Sequence, residues 1–185
     1  MENRKSLIVK ILVPVLIIAI IGGMWFIKHP LSDPELIIVT DPTAESLEGA
    51  DFSLNATELI DYEALSEYGL PIIVDYGADS CIPCKQMAPV LQTLNADMQD
   101  KAFIKFVDVW QYYEAAANVS VQVIPTQIFV NADGTPFVPS EELASQIEFT
   151  MYSDKESGAH IFTTHQGGLT EEQMRQILAE MGVEE

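Results

Sequence analysis

The chain's only two cysteines, Cys81 and Cys84, flank Ile82-Pro83 at the junction of two different patterns. Before them runs Pro71-Ile72-Ile73-Val74-Asp75-Tyr76, which reads as a buried strand. After them comes Lys85 to Leu94, whose apolar residues recur at helical spacing. Pro83 suits a first helical turn, where its missing N–H is no loss. A strand that feeds a helix through a cysteine pair places the first sulfur at the helix's positive end.

That placement carries chemistry. Thiolate, not thiol, attacks a disulfide, and the free N–H groups and dipole of a helix N-terminus stabilise a thiolate. Cys81 is therefore the candidate nucleophile. Cys84, one turn further in, is the candidate resolving thiol. Two other readings remain open at this point. The pair can be half of a zinc site completed by two of His29, His160 and His165, since structural zinc takes four ligands. It can also be a purely structural disulfide, although so short a loop constrains the unfolded chain little.

The front of the chain is different in kind. Leu7 to Ile27 is almost wholly apolar, broken by Lys10, Pro14 and Gly22-Gly23, and it is long enough to cross a bilayer as a helix. Arg4, Lys5 and Lys10 place its N-terminal side in the cytoplasm. Trp25 and Phe26 suit the far interface. A cleaved signal peptide is the alternative, but the stretch is long for one and no small-x-small cleavage site follows it.

Of 185 residues, 28 are acidic and 9 basic. Beyond residue 28 the imbalance is 27 against 5, a net charge near −22. Such a surface repels nucleic acid and anionic headgroups, which excludes nucleic acid as a partner. Solubility accounts for it more simply than a basic partner does. The lack of any spare cysteine suits an oxidising compartment.

These patterns divide the chain into a cytoplasmic N-terminus at 1–6, a transmembrane anchor at 7–27, an acidic stalk at 28–50 and a globular domain at 51–185. The stalk is broken at His29-Pro30, Asp33-Pro34 and Asp41-Pro42, with Leu36-Ile37-Ile38-Val39 as a short strand. In the domain, the periodicity predicts a helix over Thr57–Tyr68, a strand over Pro71–Tyr76 and a helix from Cys81 to about Gln99, bent at Pro89. A strand at Phe103–Val109, a short helix at Tyr112–Ala117 and a strand at Thr126–Val130 follow. Asn131-Ala132-Asp133-Gly134 makes a hairpin turn. Residues 139–157 read as an insertion, and Ile147–Tyr152 and His160–Thr164 as the arms of a hairpin around Ser153–Ala159. Thr170 and Gln173 have capping-box spacing ahead of a last helix bearing Met174, Ile177, Leu178 and Met181. The sum is an α/β domain, a mixed sheet flanked by helices on both faces.

Five stretches in order resemble the thioredoxin family, specifically its membrane-anchored bacterial members. They are Val74-Asp75-Tyr76-Gly77-Ala78, the cysteine pair with Lys85 and Pro89, Val107-Asp108-Val109, Ile124-Pro125-Thr126 and Gly167-Gly168-Leu169-Thr170. The resemblance covers about Phe52 to Met181. It implies a thioredoxin-like sheet and a thiol–disulfide oxidoreductase that needs no cofactor beyond the Cys81–Cys84 pair. It implies a cis bond before Pro125, turning the Ile124 backbone toward an extended substrate, with Gly167 and Ile82 bordering the same groove. It makes Asp75 the buried acid beneath the resolving cysteine, taking its proton. The alternative for Asp75 is a core ion pair with Lys105, although Phe106 fills the position where the family often has lysine.

The chain also departs from the family pattern. Ser80 replaces the usual tryptophan before the first cysteine, Ile82 replaces a glycine, and Asp79 adds a negative charge near Cys81. That charge disfavours the thiolate and so favours the disulfide over the dithiol, which describes a reductant. His165 reads as a strand-end surface residue. Trp110, Tyr112 and Tyr113 read as core or rim packing, and Met87 and Met98 as core fillers.

The expected function is a membrane-tethered, extracytoplasmic bacterial reductant of protein disulfides, recharged by a membrane electron-transfer protein, in cytochrome c maturation or disulfide repair. The rival readings are a disulfide donor of the same fold, a metal-binding module built on Cys81 and Cys84, and a scaffold protein without turnover.

Overall fold

The computed structural model describes residues 47–184. The anchor read at 7–27, the strand read at Leu36–Val39 and most of the stalk lie outside them. Among the described residues no helix is long and apolar enough to cross a membrane.

The first strand, β1, Ile72–Gly77, lies inside the sheet and is buried at every position. It pairs in parallel with β2, Phe103–Asp108, and antiparallel with β3, Thr126–Val130. A hairpin of β4, Thr150–Ser153, and β5, His160–Gln166, completes a five-stranded mixed sheet in the order β2-β1-β3-β5-β4. Parallel neighbours need a crossover. Here α2, Ile82–Asp97, supplies it.

Strand alternation gives the sheet two faces. Ile73, Ile104 and Phe129 point to one, into a cluster with Met87, Leu91 and Leu94 of α2 and with Met174, Ile177 and Leu178 of α4, Glu171–Glu180. Ile72, Val74, Tyr76, Phe103 and Ile128 point to the other. That face is covered by α1, Tyr62–Ser66, and a 3-10 turn at Tyr113–Ala116. In α2 the buried residues Cys84, Met87, Leu91 and Leu94 fall three or four apart, the stripe the sequence pattern predicts. The Thr170–Gln173 capping box opens α4 as expected.

Some elements differ from their sequence reading. The helix predicted over Thr57–Tyr68 exists only as α1. Asp61 caps it by accepting the Ala64 N–H at 3.0 Å. Upstream, Leu54 and Ala56 exchange backbone hydrogen bonds with Phe106, and Asn118 donates to the Ile60 carbonyl. Pairing with the edge of β2 overrides local helical periodicity. The short helix read at Tyr112–Ala117 is the 3-10 turn. The segment 139–157 holds a helical turn not read from the sequence, α3 at Glu141–Ala144, capped by Ser140.

Candidate functional site

Cys81 is the N-cap of α2, in extended conformation, and its Sγ accepts the Cys84 N–H at 3.3 Å. It is half-buried, whereas Cys84 is 4% exposed and faces the sheet. The two form a disulfide with Cα atoms 5.3 Å apart. Pro83 lies in the first turn, so the helix loses no internal hydrogen bond there. One sulfur is thus reachable at the positive helix end and the other is stored behind it.

The loop before β3 and the loop after β5 close on Cys81. The Ile124–Pro125 bond is cis. The Ile124 carbonyl oxygen lies 3.9 Å from Cys81 Sγ. Pro125 is buried, and its carbonyl accepts the Gly167 N–H at 2.9 Å. Gly167 has φ +117°, a conformation that favours glycine. Ile82, next to Cys81 in the chain, is 72% exposed. Three stretches distant in sequence, Cys81–Cys84, Ile124–Pro125 and Gly167, are therefore brought together.

Asp75 is fully buried on the α2 face of β1. Gly77 shows how close it comes to the cysteines. A Cβ placed there meets Phe106 Cε2 at 2.9 Å, Cys84 Sγ at 3.2 Å and Asp75 Oδ2 at 3.3 Å. Only a glycine leaves room between the carboxyl and the sulfur. Burial pushes the Asp75 carboxyl up to about 7, against a hydrogen bond from Gln127 that lowers it. The Lys105 alternative fails on geometry. Lys105 pairs with Val74 in the β1–β2 register, so it points to the opposite face. Its Nζ donates to the Asp51 carbonyl at 2.6 Å, the Asp51 carboxylate at 3.0 Å and the Ser53 carbonyl at 2.8 Å. The actual partner of Asp75 is Gln127, which sequence reasoning missed. Its signal was a glutamine followed by the apolar run Ile128-Phe129-Val130 in a buried strand.

Residues 61–150 match the family described as Thioredoxin. A thioredoxin of Staphylococcus aureus (strain Mu50 / ATCC 700699) is 40% identical over 94 residues, covering 48% of this chain and 88% of that protein. The chain belongs to the thioredoxin family. Among solved structures, Fasciola hepatica thioredoxin shares 25% identity with a TM-score of 0.47, covering 70% of this chain and 99% of that one. A poplar thioredoxin h shares 18% with a TM-score of 0.43, covering 66% and 86%.

As a thioredoxin-family thiol–disulfide oxidoreductase, the protein has a Cys81–Cys84 disulfide, and its family acts on protein disulfides. The loop leading to Cys81 is held by Asp108. One Asp108 oxygen accepts the Asp79 N–H at 2.9 Å, and the other accepts the Trp110 and Gln111 N–H groups at 2.9 and 3.0 Å. Burial opposes ionisation of Asp108, but these hydrogen bonds outweigh it and hold the carboxyl below its usual range. The same clamp ties the Trp110 backbone to the loop at Asp79, and Trp110 is 64% exposed. It is a rim residue, not core. His165 sits at the end of β5, with Nδ1 2.8 Å from the Glu148 carbonyl. Among the described residues no group of three or more His, Cys, Asp or Glu side chains is arranged to hold a metal ion.

Proposed function

We propose that this thioredoxin-family protein is a membrane-tethered reductant of protein disulfides, held by Leu7–Ile27 with its C-terminal domain outside the bacterial cytoplasm. The observation that carries the catalytic part is the division of labour between the cysteines: Cys81 half-exposed at a helix N-cap, Cys84 buried beside Asp75. The apolar stretch at Leu7–Ile27, the basic residues ahead of it and the acidic domain after it support the tether.

An extended substrate segment lies across Ile124, Pro125 and Gly167, with Ile82 and Trp110 giving it apolar contact in place of the tryptophan that Ser80 replaces. The Cys81 thiolate attacks one sulfur of the substrate disulfide. A mixed disulfide forms and one substrate thiolate leaves. The Cys84 thiol gives its proton to the Asp75 carboxylate, and the resulting thiolate attacks Cys81 Sγ. The second substrate thiolate leaves, the substrate has gained two electrons, and Cys81–Cys84 is a disulfide again. A membrane electron-transfer protein returns it to the dithiol, for use in cytochrome c maturation or disulfide repair.

Direction follows from charge. Asp79 and the ionised Asp108 flank the loop before Cys81, and negative charge there disfavours the thiolate, hence the reduced form. The full chain, supplied with a small dithiol, is expected to reduce a protein disulfide, and Cys81→Ser to abolish this. Its reduction potential should lie near the −270 mV typical of thioredoxins, and a value near −120 mV, typical of a dedicated disulfide donor, contradicts the reading. Protease added to intact cells should remove the domain; complete protection contradicts an outside location.

A further inference from the structure

Gln127 is fully buried and stands directly opposite Asp75 in the antiparallel β1–β3 register. Its Nε2 donates to Asp75 Oδ1 at 2.6 Å and to the Gly167 carbonyl at 3.1 Å, and it touches Met87 Sδ at 3.4 Å. An amide nitrogen has two hydrogens, and the two oxygens take both. The three contacts lie on β1, on the loop after β5 and on α2. Gln127 therefore joins the buried acid, the edge of the substrate groove and the redox helix through one atom. Its own Oε1 is buried with no hydrogen-bond partner. A leucine or methionine here would avoid that unpaired oxygen, so packing alone does not account for a glutamine.

The consequence is directional. With Oδ1 held by Gln127, the oxygen of Asp75 left without a partner is Oδ2, the one facing Gly77 and Cys84 Sγ. We propose that Gln127 is a positioning residue for proton transfer: it holds Asp75 with Oδ2 turned toward Cys84 and ties that carboxyl to the Gly167 loop bordering the substrate. This rests on Asp75 being the proton acceptor for Cys84.

The surroundings leave Gln127 room to act. β2 sets Phe106 opposite Asp75, while Lys105 lies on the other face with Asp51. Asp108 is engaged by the 79 and 110–111 backbone. From α2, Cys84 and Met87 approach, and Cys84 is the titratable one. Burial and the Gln127 hydrogen bond are the influences on the Asp75 carboxyl, with no charged neighbour among them.

The test follows single-turnover decay of a mixed disulfide between the full chain and a fluorescent peptide disulfide, from pH 5 to 9. Gln127→Met should move the pH midpoint of this step upward by about one pH unit, the size of one hydrogen bond to a charged group. In an Asp75→Asn background it should cause no further movement. A Gln127→Met profile that keeps the wild-type midpoint, or slows equally at every pH, overturns the proposal. Gln127→Leu repeats the test in a second apolar shape. On the unmutated chain, the Gln127 side-chain amide resonances should shift with the Asp75 titration, and resonances that stay fixed also overturn it. Asp75→Asn with a wild-type profile overturns the Asp75 reading itself and this inference with it, a result distinct from failure at Gln127 alone.

Discussion

Cys84 Sγ and Asp75 Oδ2 converge on a single point beside Gly77, 3.2 and 3.3 Å from where its Cβ would sit. A buried carboxyl thus shares a small space with the sulfur that must lose a proton. The cost of keeping it there has a sign. Its carboxyl is raised from 3.8 to about 7 in the folded state. Below pH 4 both states hold the proton and Asp75 has no effect. As pH rises toward 7 the unfolded chain releases it while the folded chain keeps it, so stability falls, and above 7 the loss is complete. The ceiling on that loss, from 3.8 to about 7, is on the order of 4 kcal/mol. Denaturant titrations of the oxidised protein should show this decline between pH 4 and 8, and Asp75→Asn should abolish it and be more stable at pH 8.

Gly77→Ala should damage both stability and turnover. The new methyl would meet Phe106 Cε2 at 2.9 Å and fill the space between acid and sulfur. Overpacking of this kind costs about 1–3 kcal/mol. Decay of the mixed disulfide should slow in the variant, while initial attack by Cys81, which is not among the atoms the methyl would meet, stays closer to wild type. Stopped-flow separation of the two steps checks this.

Lys105 makes the opposite prediction. It is 3% exposed, and its ammonium holds Asp51 and the Ser53 carbonyl on the face away from the cysteines. Lys105→Met should lower stability by about 1–3 kcal/mol through these lost bonds. The pH profile of disulfide reduction should not move. A moved midpoint would restore Lys105 as a partner of Asp75.

Asp79→Asn removes a negative charge from the loop before Cys81. The reduced form gains, so the reduction potential should become less negative. Asp79 is exposed, and an exposed charge contributes less than about 1 kcal/mol, which is about 20 mV for two electrons. Equilibration with a glutathione redox buffer measures it. A shift in the negative direction contradicts the electrostatic argument for a reductant.

Much of the site was legible because its parts carry strong local chemistry. A cysteine pair ahead of an amphipathic run, an Ile-Pro-Thr ahead of a strand and a double glycine ahead of a capping box each announce themselves within a few residues. The relations between them were not. That Lys105 faces away from Asp75 depends on strand register, since period-two alternation puts neighbours on opposite faces. Gln127 gains meaning only from standing opposite Asp75, a pairing between strands fifty-two residues apart. The shortened α1 tells the same story: Leu54 and Ala56 join the edge of β2, and the helical spacing is realised at Tyr62 and Leu65 but not at Leu59 and Ile60, nearer that pairing.

The central claim is that Cys81 alone is the reachable, ionised sulfur of the reduced protein. Alkylation of the reduced full chain with less than one equivalent of iodoacetamide, followed across pH and located by peptide mass spectrometry, tests it directly. The account predicts that the label falls on Cys81, with a rate midpoint below the ordinary cysteine value of about 8.5. Equal labelling of Cys84, or a Cys81 midpoint at or above that value, would contradict it.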